Sequence, residues 1–210
     1  MVFQDKPITG IILAAGKASR FAGLKQCADI GNGSTLLAHV VTQALNSNLD
    51  DVLLVLGYKR SEILKSLVDL LDNNRLTVVE NDAFETGMSS SLRAGLKTVH
   101  ESAAAVMFIL GDQPMVTTEL MNDLVSEYKR SNAPLCVPMI KTDESAQRPG
   151  NPVIIGQRLF PEILEITGDI GARELVKKYL SQARLVGLDN DITQFQINTQ
   201  DDLRKFRGDI

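Results

Sequence analysis

Short apolar runs alternate along the chain with segments in which apolar positions recur every three or four residues. The runs at 8–14, 51–56, 76–80 and 105–110 lack the two-residue alternation of a half-exposed strand. That is the pattern of strands covered on both faces in a parallel sheet. Each is followed by a helical pattern, at 34–46, 61–71, 89–99 and 117–129. Leu36, Leu37, Val40, Val41, Ala44 and Leu45 form one apolar stripe, and Leu120, Met121, Leu124, Val125 and Tyr128 form another. Consecutive βα units around a central, mainly parallel sheet follow, which is an α/β fold.

The rhythm changes after 134–138. A polar segment at 141–148 leads through Pro149, Gly150, Asn151 and Pro152 to a short strand at 153–155, an interruption that reads as an insertion or lid with an antiparallel piece. A helix is expected at 172–180, strands at 184–188 and 195–197, and a final helix from Thr199, with Asp202 completing a capping box. No internal repeat or linker composition divides the chain, so 1–210 is read as a single domain. Ligands of such sheets bind at the carboxyl ends of the strands, which directs attention to the loops after the early strands.

Composition narrows the function classes. The 210 residues are 44% hydrophobic and 23% charged, as in ordinary globular proteins. A net charge of −4 argues against a nucleic-acid partner. The apolar run at 103–110 is far short of the ~20 residues of a membrane helix, and no secretory pattern opens the chain, so a cytoplasmic protein is expected. Cys27 and Cys136 lack a C-x-x-C or Cys/His cluster, which argues against a zinc site or disulfide framework. With His39 and His100 as its two histidines and no G-x-S-x-G elbow, the chain argues against a Ser-His-Asp hydrolase.

Chemistry concentrates in a few stretches. Leu13, Ala14, Ala15 and Gly16 leave the first strand with small side chains, so backbone N–H groups can approach an anion. Arg20 and Lys25 can add charge, while Lys17 is expected to be solvated. The spacing fits neither a Walker A loop nor a G-x-G-x-x-G fingerprint. Gly111 and Asp112 end the strand at 105–110, where a carboxylate can hold a divalent ion or simply serve a turn. Asn81 and the run Ser89, Ser90 and Ser91 offer polar groups to a nucleotide, or helix caps. Gly150, Asn151 and Pro152, and the Gly168-Asp169-Ile170-Gly171-Ala172-Arg173 stretch, are turns in which Asp169 can equally be a cap.

Taken in order, these stretches resemble the MobA-like nucleotidyltransferases, most nearly their molybdenum cofactor cytidylyltransferase branch. The match runs from Leu13-Ala14-Ala15-Gly16 through Arg20 to Lys25, then Gly87 to Leu92, Gly111 to Pro114, Gly150 to Pro152 and Gly168 to Arg173. The resemblance implies a three-layer Rossmann-like (GT-A-like) fold, with a nucleotide-binding part at about 1–133 and an acceptor-binding part at about 134–210. It implies that Arg20 and Lys25 hold a triphosphate and that Asp112 and Asn198 hold Mg²⁺. Asn81 and Ser89 to Ser91 would lie near base and ribose, with Leu13 to Gly16 and Gly111 also at the nucleotide. Gly150, Asn151, Pro152, Gly168, Asp169, Gly171 and Arg173 would face the acceptor. The Leu-Ala-Ala-Gly form resembles the branch that uses CTP, so CMP transfer from CTP to molybdopterin-bound molybdenum is the expected reaction. Alternatives are GTP, another phosphorylated acceptor such as a sugar phosphate, or a non-catalytic carrier that delivers cofactor to a molybdenum enzyme. The chain departs from the family pattern at Gln196 and Asn198, where acidic residues are frequent, and at Asn151, where histidine is frequent.

Overall fold

A computed structural model describes residues 6–31, 33–141, 146–188 and 194–209. Its centre is an eight-stranded sheet. Strands β1 (Ile8–Leu13), β2 (Asp51–Leu56), β3 (Leu76–Glu80) and β4 (Ala105–Leu110) run parallel in the order β3-β2-β1-β4. Beyond β4 the sheet continues antiparallel through β7 (Val153–Gly156) to β5 (Leu135–Lys141). Strand β8 (Arg184–Leu188) pairs parallel with β5 at 136–140, so β7 and the short β6 (Gln147–Pro149) share the other side of β5. The described part of the polar interruption is therefore sheet, an antiparallel ribbon broken at Gly150–Pro152; residues 142–145 lie outside the described residues.

Helices cover both faces because both faces of the strands are apolar. On one face α1 (Leu36–Leu45), α2 (Arg60–Lys65) and α4 (Thr118–Arg130) pack on Ile8, Ile12, Leu54 and Met107. On the other, α3 (Met88–Thr98), α5 (Phe160–Glu165) and α6 (Arg173–Tyr179) pack on Ile11, Val55, Val106 and Phe108. Gly95 lets α3 lie against the strands, since a Cβ there would stand 2.5 Å from Ile11 Cγ2. The α1 and α4 stripes are buried at every position read from the sequence, and Thr35 and Thr117 cap the two helices through their hydroxyls.

Three expectations required revision. The helix expected at 61–71 stops at Lys65, and a 3-10 turn, Val68–Leu70, follows. The Ser66 hydroxyl there donates to the Ile63 carbonyl at 2.7 Å, offering the backbone a local alternative to a longer helix. Helix α5 was not anticipated; at six residues, with Ile163 its one buried residue, it is too short to show periodicity. The strand expected at 195–197 is irregular chain. Phe195 there stacks on Phe206 of α7 (Gln200–Arg207), and the Ile197 amide donates to the Asp112 carbonyl at 3.0 Å. Helix α7 carries the expected capping box of Thr199 and Asp202. Among the described residues, no helix is long and apolar enough to cross a membrane.

Candidate active site

Leu13 and Leu110 are neighbours at the carboxyl ends of β1 and β4. From there the chain leaves β1 toward β2 and leaves β4 toward the opposite side of the sheet, so the two loops open a crevice at the switch in strand order. A cleft of about 810 Å³ occupies it, lined by residues 13–20, Lys25, Asp112, Ser91, Asp169 and Asn198 among others. The loops approach closely because residue 111 is glycine: a Cβ would lie 3.0 Å from Ala14 Cβ and 3.1 Å from the Leu13 carbonyl oxygen.

Three predicted residues meet at the floor of the cleft. Lys25 Nζ lies 2.9 Å from Asp112 Oδ2 and 3.1 Å from Asn198 Oδ1, with side-chain exposures of 12% for Lys25 and 24% for Asp112. Partial burial makes this pair stronger than a surface ion pair. Asn198 turns its oxygen toward the lysine because its Nδ2 donates to Gln196 Oε1 at 3.3 Å. The Asn198 backbone is fixed in turn by Asp202 Oδ2, which accepts from the amides of Asn198 and Thr199 at 2.9 and 2.8 Å. Burial pushes the Asp202 carboxyl up, but these amides and the Thr199 hydroxyl outweigh it and hold it below the usual carboxylate range.

The floor suits a hard divalent cation. Asp112 and Asn198 already share a cationic group, and Asp112 Oδ1 is buried without a hydrogen-bond donor among the described residues. Carboxylate and carbonyl oxygens match Mg²⁺ or Mn²⁺, which take remaining ligands from phosphates and water. No group of three His, Cys, Asp or Glu side chains suited to a metal occurs among the described residues.

The first wall is the loop after β1. Gly16, Lys17 and Arg20 are exposed on it and line the cleft. Arg20 forms no ion pair among the described residues, and Lys17, expected to be solvated, holds its ammonium 5.6 Å from the centre of the Tyr58 ring. Gly23 takes the left-handed turn, with φ +99°.

The opposite wall is the start of α3. Of the polar set read from the sequence, Ser91 reaches the cleft, whereas Asn81, Ser89 and Ser90 are buried behind it. Asn81 Nδ2 donates to the Ser90 and Ser91 hydroxyl oxygens at 2.9 and 3.0 Å, tying the chain after β3 to α3. Asp169 also lines the cleft, and its Oδ1 accepts the Met88 amide at 3.2 Å while the Gly168 carbonyl accepts that of Ser89. Gly87, at φ +106°, permits this contact, since a Cβ would stand 2.5 Å from the Gly168 oxygen.

The remaining residues expected at the acceptor lie outside the cleft lining. Gly171 packs under Met88, and Arg173 is exposed on the first turn of α6. Gly150, Asn151 and Pro152 form the β6–β7 break, where the Gly150 amide donates to Pro138 and Asn151 exchanges hydrogen bonds with the Gln194 carboxamide. Sequence reasoning passed over Gln26. Gln26 is buried, and its Nε2 donates to the Ala14 and Gly16 carbonyls, both at 3.1 Å. Its one sequence signal was a polar residue directly after the cationic Lys25.

The family model of the MobA-like NTP transferase domain matches residues 10–184. A probable molybdenum cofactor guanylyltransferase of Thermococcus sibiricus is 30% identical over 132 residues, 63% of this chain, and the match spans 62% of the relative's own length. The crystal structure of Rv0371c from Mycobacterium tuberculosis H37Rv superposes with a TM-score of 0.82 at 25% identity, covering 97% of this chain and 98% of that one. The manganese complex of Rv0371c superposes with a TM-score of 0.77 at 25% identity, covering 97% and 98%. With the cleft at the β1–β4 switch built from the stretches that carry the family pattern, the chain belongs to the MobA-like NTP transferase domain family.

Proposed function

We propose that the protein is a Mg²⁺-dependent nucleotidyltransferase that moves CMP from CTP to a molybdopterin-type acceptor and releases pyrophosphate. The observation that carries this reading is the meeting of Lys25, Asp112 and Asn198 beneath the loop after β1, in one cleft. An acceptor phosphate is already an anionic nucleophile, so the reaction needs no general base. It needs positioning and charge neutralisation, which the loop amides, Arg20 and Lys25 supply to the triphosphate and the departing pyrophosphate. Asp112 and Asn198 would hold the metal; bound Mg²⁺ supplies charge neutralisation and orientation at the phosphates. Lys25 then turns from Asp112 to the phosphates. Leu13 to Gly16, Gly111 and Ser91 would border the nucleotide, supported from behind by Asn81, Ser89 and Ser90. Asp169 is the acceptor-side group nearest this chemistry, and Gly150, Asn151, Pro152, Gly168, Gly171 and Arg173 would shape the outer acceptor path.

The choice of CTP rests on the Leu13-Ala14-Ala15-Gly16 form of the loop. A GTP reading is favoured instead by the similarity to the Thermococcus guanylyltransferase. Calorimetry with each of the four NTPs and Mg²⁺, followed by pyrophosphate release with molybdopterin-bound molybdenum, separates them. Selective binding and turnover of CTP is expected. Turnover of GTP alone overturns the base assignment, turnover only with a sugar phosphate overturns the acceptor, and tight cofactor binding without pyrophosphate release makes the protein a carrier.

A further inference from the structure

Where the chain leaves β1, the carbonyls of Ala14, Ala15 and Gly16 are all engaged. Gln26 Nε2 takes those of Ala14 and Gly16, and the Tyr58 amide takes that of Ala15 at 3.0 Å. The amides of residues 15–20 donate to no described residue. In a trans peptide the N–H lies opposite the C=O, so with these three oxygens held the amides of Ala15, Gly16 and Lys17 turn the other way and stay open to an anion, the arrangement by which successive amides receive one. Gln26 is 5% exposed, and its Oε1 has no partner among the described residues. A flipped carboxamide would set that oxygen against two carbonyls, which fixes the orientation of the group.

We infer that Gln26 is a positioning residue for the nucleotide phosphates: by donating to two carbonyls at the start of the loop, it fixes the peptide units whose amides receive the anion. The inference rests on the nucleotidyltransferase reading of the cleft, and it gives Gln26 a task separate from that of Lys25. A lysine supplies a mobile charge, whereas Gln26 shapes the backbone that receives the same phosphates.

The test uses the full chain, inorganic tripolyphosphate as the probe, and calorimetry. Gln26→Met removes both donors at similar volume, and Gln26→Glu places a carboxylate where donors are required. Circular dichroism and thermal melting establish that each variant is folded. Both variants are expected to bind tripolyphosphate roughly ten- to a hundredfold more weakly than wild type at pH 8. Between two carbonyls and out of water, the introduced carboxyl of Gln26→Glu takes up a proton well above the usual range and regains one donor. Its deficit relative to wild type therefore narrows toward pH 5.5, while that of Gln26→Met stays constant. A role confined to folding moves both variants alike. A folded Gln26→Met that binds tripolyphosphate within threefold of wild type overturns the inference and leaves the proposed function standing. Wild-type protein that binds neither tripolyphosphate nor any NTP overturns both. If Gln26→Glu does not fold, Gln26→Met alone decides.

Discussion

Lys25 bridges a carboxylate from the middle of the chain and an amide oxygen from near its C-terminus, so its removal separates charge supply from loop shape. Lys25→Ala is expected to lower pyrophosphate release at saturating NTP and Mg²⁺ by roughly a hundredfold or more, the usual cost of losing a donor aimed at transition-state charge. Near wild-type turnover would remove Lys25 from the phosphate site. Asp112→Asn deletes the carboxylate that pairs with Lys25, and the expected result is loss of Mn²⁺ binding in an electron paramagnetic resonance titration with nucleotide present; unchanged binding would exclude Asp112 as a ligand. The thiols behave differently again. Burial pushes the Cys136 thiol up to about 12, whereas Cys27 is half-buried and reaches the Ser66 hydroxyl. A thiol reagent at pH 8 is therefore expected to label at most Cys27 in the folded protein and both cysteines in denaturant. At this scale the charged groups were legible, because Arg20 and Lys25 follow β1 in one glycine-marked loop and Asp112 follows the end of β4 directly after Gly111. Gln26 was not, because a carboxamide carries no charge signature and its burial depends on where the loop folds back. Asn81, Ser89 and Ser90 carry the polarity of a site but are buried: the Asn81 amide group donates to the Ser90 hydroxyl, which donates in turn to the Gly87 carbonyl, and the Ser89 hydroxyl is enclosed without a partner among the described residues.

At the scale of elements, α7 links stability to the site. Its capping box is the same Asp202 that holds the Asn198 backbone, so the helix start and the cleft floor share one anchor. Thr199→Ala removes the hydroxyl that accepts the Asp202 amide, at an expected cost of about 1 kcal/mol, or roughly 2–4 °C in melting temperature. The Asp202 carboxyl titrates below its ordinary value of 3.8 when folded. A depressed acid stabilises the fold above its unfolded pKa and loses that contribution as pH falls through the folded one. The wild-type melting temperature is thus expected to drop more steeply below pH 4 than that of Asp202→Asn; parallel profiles would deny Asp202 this role. Strands β2, β3, β4 and β8 matched their sequence boundaries because a run of apolar or β-branched residues between polar turns has few other uses. Residues 195–197 have the same composition, but their apolar side chains cover Phe206 and Leu203 instead of joining a ladder, an outcome set by tertiary placement.

Across the whole molecule, the proposed division into a nucleotide part and an acceptor part is not a division of the fold. Strand β4 is paired with β7 from Ala105 to Phe108, and one apolar cluster joins Ile11, Val55 and Leu92 to Leu135, Val153 and Leu175. The chain then returns: Ile197 and Leu203 pack with Phe21, Ile30 and Leu36, and the Gln200 carboxamide donates to the Ala22 carbonyl at 3.0 Å. A fragment of residues 1–133 would keep four parallel strands but expose the β4 edge, with Val106 and Phe108 uncovered on one face. Such an edge is unpaired, apolar and prone to associate. It would also lack Asn198, half of the support around Lys25. The full chain is therefore expected to unfold in one calorimetric transition. The fragment is expected to aggregate or to melt without a cooperative peak, and to bind no NTP measurably at concentrations that saturate the whole protein. A soluble 1–133 fragment with its own sharp transition and wild-type NTP affinity would show instead that the first four strands and their loop form a complete nucleotide site, with the C-terminal return serving the acceptor alone.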